Sequence, residues 1–107
     1  MIDNIKISGA WKVEKRKADK TVLNGIFLNT GKGTWTQNLG AGEFKYMING
    51  NYGVRVYKDG SLKCRYSKTS KDPETLYKYL LSLNEQDRIE YAENTYESLK
   101  RLEKFKL

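Results

Sequence analysis

Apolar and polar residues alternate with a period of two in short runs up to about residue 66, and recur at three and four after residue 71. The first pattern predicts strands and the second predicts helices. Ile5 and Ile7 alternate before Gly9-Ala10 breaks the run. Trp11, Val13 and Lys15 continue as a strand that ends in the charged stretch Glu14 to Lys20. Thr21 to Asn29 predicts a second strand, with Val22, Ile26 and Leu28 on one face. Gly31-Lys32-Gly33 and Gly40-Ala41-Gly42 predict turns on either side of a strand over Thr34 to Leu39.

Residues 43–66 carry the clearest pattern. Phe44, Tyr46 and Ile48 alternate with Lys45 and Met47; Tyr52, Val54 and Val56 alternate with Gly53 and Arg55; Leu62, Cys64 and Tyr66 alternate with Lys63 and Arg65. Asn49-Gly50-Asn51 and Lys58-Asp59-Gly60 separate these runs, so the segment predicts a three-stranded meander. A three-residue loop at 58–60 pairs Val56 with Leu62 and Val54 with Cys64, and puts Gly60 in the left-handed position. A like loop at 49–51 pairs Ile48 with Tyr52 and Tyr46 with Val54. Both loops then give the same apolar face, whereas a one-residue slip would mix apolar and charged residues on it.

The C-terminal third predicts two helices. Asp72 is a candidate N-cap with Pro73 at the first helical position, and Leu76, Tyr79, Leu80 and Leu83 share a face. Asn84 opens the second helix, with Glu85 and Asp87 in its first turn and Ile89, Ala92, Tyr96 and Leu99 along one side. Its apolar side is expected to cover a sheet face. The fold expected is α+β: an antiparallel meander or partly closed sheet of five to seven strands, followed by two C-terminal helices. Its length of 107 residues suits one domain over residues 1–107, made of a β-rich body (1–71) and a helical part (72–107).

Charge changes this picture more than composition does. The net charge is +7, but residues 1–71 hold 14 basic and 5 acidic side chains, against 6 and 8 in residues 72–107. A basic β body suits an anionic partner such as nucleic acid, or serves solubility. The single cysteine, Cys64, excludes an internal disulfide and a thiolate zinc cage, and its place in a strand pattern suits a small core residue. The first residues carry no leader-like apolar run, and Ile26-Phe27-Leu28 is among the longest apolar runs, so a cytoplasmic protein without membrane partner is expected.

Candidate chemistry is limited. The absence of histidine removes the usual base near neutral pH, every Ser-His or Cys-His arrangement, and His-based metal sites. Gly31-Lys32-Gly33-Thr34 lacks the upstream glycine of a phosphate loop, because Ile26 stands there, and Gly33 follows the lysine where the loop needs Ser or Thr. Glu43 and Lys45, two apart on a strand, form a weak nuclease-like pattern of a kind that arises by chance in so charged a chain. No catalytic residue, cofactor or metal ligand is assigned, and no oligomeric state follows.

The other face of the meander carries the main candidate site. In the expected register Lys45 lies opposite Arg55, Arg55 lies opposite Lys63, and Arg65 follows two residues on. Like charges directly opposed on a sheet repel by about 0.2–1 kcal/mol per pair. A row of this kind either binds an anion or is a solvated face relieved by Glu43 or helix carboxylates. On the binding reading Lys45, Arg55, Lys63 and Arg65 contact phosphates and Tyr57 stacks on a base, with Met47 beside it and Lys12, Lys15, Arg16, Lys17 and Lys20 extending the surface. Trp11 and Trp35 are expected in the core.

The stretch Gly53-Val54-Arg55-Val56-Tyr57-Lys58-Asp59-Gly60, followed by Leu62-Lys63-Cys64, resembles the sheet of AP2-type and integrase arm-type DNA-binding domains. The resemblance covers about a fifth of the chain, lacks the tryptophan expected after the turn, and transfers no residue roles. In its Lys, Asn and Tyr content the chain is also similar to phage accessory proteins. The expectation is therefore a small non-enzymatic protein that binds nucleic acid through a basic sheet face. The alternative is a phage-type inhibitor or adaptor that binds a host protein, with Tyr77, Tyr91 and Tyr96 at the contact.

Overall fold

The structure is a computed structural model that describes the backbone of residues 5–40 and 43–105, and the side chains of 5–36 and 49–102. Four strands precede two helices: β1 (Gly9–Arg16), β2 (Val22–Gly40), β3 (Glu43–Tyr57), β4 (Leu62–Ser67), α1 (Asp72–Leu81) and α2 (Glu85–Phe105). The fold is α+β, with an open antiparallel sheet in the order β1-β2-β3-β4. Four strands among the described residues replace the five to seven expected.

The difference lies in two glycine-containing segments. Gly31-Lys32-Gly33 and Asn49-Gly50-Asn51 do not turn the chain; they pair with each other inside one long ribbon, Lys32 with Asn51 and Gly33 with Gly50. The register shifts between Asn29 and Gly31 and again between Gly33 and Trp35. Glycine within a strand commonly marks such a bulge, which bends the strand without ending it. The bend brings the far part of β2 alongside β4, where Trp35 pairs with Ser67 and Gln37 with Arg65. The pairs expected across 49–51 therefore do not form: Tyr46 pairs with Thr36, and Val54 with Leu28 and Cys64.

The loop at 58–60 matches its sequence pattern. Val56 pairs with Leu62, Val54 with Cys64 and Arg55 with Lys63, and Gly60 has a φ of +85°. Asp59 Oδ1 accepts hydrogen bonds from the Ser61 hydroxyl and amide. Asp19 does the same for Thr21 in the β1–β2 turn.

Leu28, Val54, Val56 and Cys64 form the sheet side of the core, and Leu76, Leu80 and Ala92 the helix side. Fully burying a Leu or Val side chain stabilises the fold by roughly 1.5–3 kcal/mol. Burial pushes the Cys64 thiol up to about 12, so it packs as an uncharged group. Lys71, rather than Asp72, occupies the N-cap position of α1, and no side chain caps it. At α2 Asn84 caps as expected: its Oδ1 accepts from the Asp87 amide at 2.8 Å, and its Nδ2 donates back to Asp87 Oδ2 at 3.0 Å. Arg88 fixes α2 to the rest. It donates to the carbonyls of Leu80 (2.7 Å), Gly60 (3.0 Å) and Leu81 (3.2 Å), joining the end of α1 to the β3–β4 loop. Among the described residues no helix is long and apolar enough to cross a membrane.

Candidate nucleic-acid interface

Strand pairing sets the side chains of one sheet face in rows. Trp11 pairs with Phe27, Phe27 with Arg55, and Arg55 with Lys63, one residue from each strand. The neighbouring row runs Gly9, Asn29, Gly53 and Arg65. Directly paired residues point to the same side, so Arg55, Lys63 and Arg65 lie on the face opposite Leu28, Val54 and Cys64. The helices cover the latter face and leave the former to the sheet's own side chains.

Arg65 does not extend into solvent. Its Cζ lies 4.5 Å from the Trp35 ring centroid and 5.4 Å from that of Phe27. Cation–π contacts of this kind hold a guanidinium flat against aromatic faces. Trp35 is buried, as expected; Phe27, which follows Ile26 and precedes Leu28, is buried too. That uninterrupted apolar run is the sequence signal for a strand covered on both faces. Trp11, expected in the core, is 39% exposed, and its ring tilts onto Phe27 at 5.0 Å between centroids.

Arg55 Nη1 donates to the Tyr57 hydroxyl at 3.4 Å. Tyr57 itself is 2% exposed, because its ring occupies the space a side chain would fill at Gly25. The ring is therefore not open for stacking, and the hydroxyl orients Arg55 instead. On the other side of Tyr57, Lys15 Nζ lies 5.8 Å from the ring centroid. Lys15 enters the group through β1–β2 pairing.

Four cations thus gather: Lys15, Arg55, Lys63 and Arg65. Burial and then the charges of Arg55, Lys15 and Arg65 hold the Lys63 amine below the ordinary lysine value. Burial and then Arg55 likewise lower Arg65. Among the described residues no carboxylate pairs with any of the four; Glu74 and Lys78 form an ion pair along α1, away from the cluster. The Nε–H groups of Arg55 and Arg65 and the indole N–H of Trp35 are buried without a described hydrogen-bond partner. Leaving a buried donor unpaired costs about 1–3 kcal/mol. By contrast, a groove of about 650 Å³ between β1, β2 and α2 mixes its signs, with Lys12 and Lys58 beside Glu14, Glu93 and Glu97.

Lys45 does not stand opposite Arg55. Its backbone pairs with Gln37, and Gln37 pairs on its other side with Arg65. The side chains of Lys45, Met47 and Glu43 lie outside the described residues. Lys12 belongs to the helix-covered side, 5.8 Å from the Tyr96 ring. Hydrogen bonds from the Ser61 hydroxyl and amide, and then the charge of Lys17, hold the Asp59 carboxyl below its ordinary value. Among the described residues no three acidic, Cys or His side chains gather as metal ligands.

No protein-family model, curated protein or solved structure matches the chain.

Proposed function

We propose that this is a non-enzymatic binding protein that engages nucleic acid through the basic face of its sheet, with Arg55, Lys63, Arg65 and Lys15 at the phosphates. The observation that carries the reading is the cluster of four cations without a described acidic partner. Such a group repels itself in the free protein, and a polyanion removes the repulsion while releasing counterions. Arg65, its Cζ 4.5 Å from the Trp35 ring centroid, is held against that ring, and a guanidinium suits bidentate contact with phosphate oxygens. Lys45, next but one to Arg65 in strand order, continues the proposed contact line. Tyr57 supports Arg55 from behind.

The protein-binding alternative draws on tyrosines that are already engaged. Tyr77 and Tyr91 pack against the core, and Tyr96 lies between Lys12 and Lys100.

The test is a fluorescence-anisotropy titration with labelled DNA and RNA at two salt concentrations. Wild type is compared with Arg55→Ala/Lys63→Ala, after circular dichroism confirms its fold. Binding that weakens steeply with salt and is lost in the variant is expected. Absence of binding at low salt, or binding that the variant keeps, would overturn the proposal.

A further inference from the structure

Building on the proposed nucleic-acid reading, we infer that the ligand is single-stranded and that Trp11 is the platform on which one of its bases stacks. Among the described aromatic rings on this face, Phe27, Trp35 and Tyr57 are buried, whereas Trp11 is 39% exposed. Trp11 also stands in register with the cations. Trp11, Phe27, Arg55 and Lys63 occupy one row over four adjacent strands. At about 4.8 Å per strand, the row puts Arg55 roughly 10 Å and Lys63 roughly 14 Å from Trp11. A phosphate one or two nucleotides from a base on Trp11 falls within that reach.

The Trp11 ring is supported from below, which a stacking platform needs. Phe27 braces it at 5.0 Å, and Phe27 is backed in turn by the Arg65 guanidinium. Gly9, on the same face, puts no side chain against the rim of the ring; a methyl group there would lie 3.5 Å from it, in ordinary van der Waals contact. Base pairing and stacking in a duplex hide the base faces and leave only groove edges exposed. A ring standing on a sheet can reach a base face only where the base is unpaired. Stacking is tolerant of sequence, so little preference among bases is expected.

The test compares single-stranded oligonucleotides of DNA and RNA, the matching duplexes, and inorganic polyphosphate, which has charge but no bases. The proteins are wild type, Trp11→Ala, Trp11→Phe and Arg55→Ala/Lys63→Ala. Wild type is expected to favour single strands over duplex. Trp11→Ala is expected to weaken single-strand binding roughly 5- to 150-fold, the range found when one stacking ring is removed. It should leave polyphosphate binding unchanged, and leave the salt slope near about −3, as about 0.7 per phosphate over four cations requires. Trp11→Phe, which keeps a ring against Phe27, should recover most of the affinity. Wild-type tryptophan emission should be quenched by single strands and not by polyphosphate. Salt-sensitive binding that is equal for duplex and single strand, or is untouched in Trp11→Ala, would overturn the stacking inference and leave the phosphate site standing. No binding of any of these polyanions would overturn both.

Discussion

Replacing Lys63 with glutamate should make the free protein more stable while destroying its binding face. Lys63 stands directly across from Arg55, and its amine also feels Lys15 and Arg65. A directly opposed like-charge pair on a sheet costs about 0.2–1 kcal/mol, and an opposite-charge pair contributes about as much in favour. Lys63→Glu removes the first and installs the second, so the expected gain is about 0.5–2 kcal/mol. For a chain of this size each kcal/mol raises the melting temperature by roughly 4–8 °C. Urea unfolding followed by circular dichroism reads the change directly. Sodium chloride separates the cause. Near 1 M salt the Debye length falls to about 3 Å, so screening should stabilise wild type relative to the variant and narrow the gap between them. A variant less stable than wild type at low salt, or a gap indifferent to salt, would refute the claim that these four cations repel one another without neutralisation.

Other consequences follow from the fold. Arg88→Ala removes three hydrogen bonds from the ends of α1 and the β3–β4 loop; a loss of about 2–4 kcal/mol in unfolding free energy is expected, and Arg88→Lys, which lacks the forked donors, should recover only part of it. Gly60→Ala should cost more than about 1 kcal/mol by thermal melting, because φ is +85° and an added Cβ would overlap the Glu85 side chain. Cys64 titrates near 12 when folded and near 9 when unfolded, so the unfolded state loses its proton first as pH rises. That group's contribution is therefore intact below pH 9 and declines as pH rises toward about 12, by up to roughly 1.4 kcal/mol per unit. Cys64→Val should flatten this part of the alkaline unfolding profile; an unchanged slope would contradict the assignment.

The residues that were legible in the sequence share one property: their partners are close along the chain. The 58–60 loop has alternating strands on both sides and a glycine at its left-handed position, so the Arg55–Lys63 opposition followed from local pattern alone. Gly31-Lys32-Gly33 and Asn49-Gly50-Asn51 carry the same local signal whether they turn a chain or bulge within it. Only their pairing with each other, 19 residues apart at Lys32 and Asn51, distinguishes the two. Taken as turns, they would place Lys45 opposite Arg55 and add strands, whereas Lys45 pairs with Gln37 and the described sheet has four strands. Lys15, expected to extend the basic surface, stands in the cluster itself, and Trp11 lies outside the core, because the β1–β2 register that sets their neighbours is invisible to residue-by-residue alternation. Alternation puts Tyr57 on the same face as Arg55, but its burial depends on the bare surface of Gly25 on the adjacent strand.

The most direct test of the central claim is a nitrogen–proton correlation spectrum of the arginine Nε–H groups during titration with a single-stranded oligonucleotide. The Nε–H signals of Arg55 and Arg65 should shift together and saturate with the same affinity as the anisotropy titration, while that of Arg88, engaged with backbone carbonyls, stays in place. Binding that leaves the Arg55 and Arg65 signals unmoved would mean that nucleic acid contacts another surface, and would contradict the assignment of this sheet face as the site.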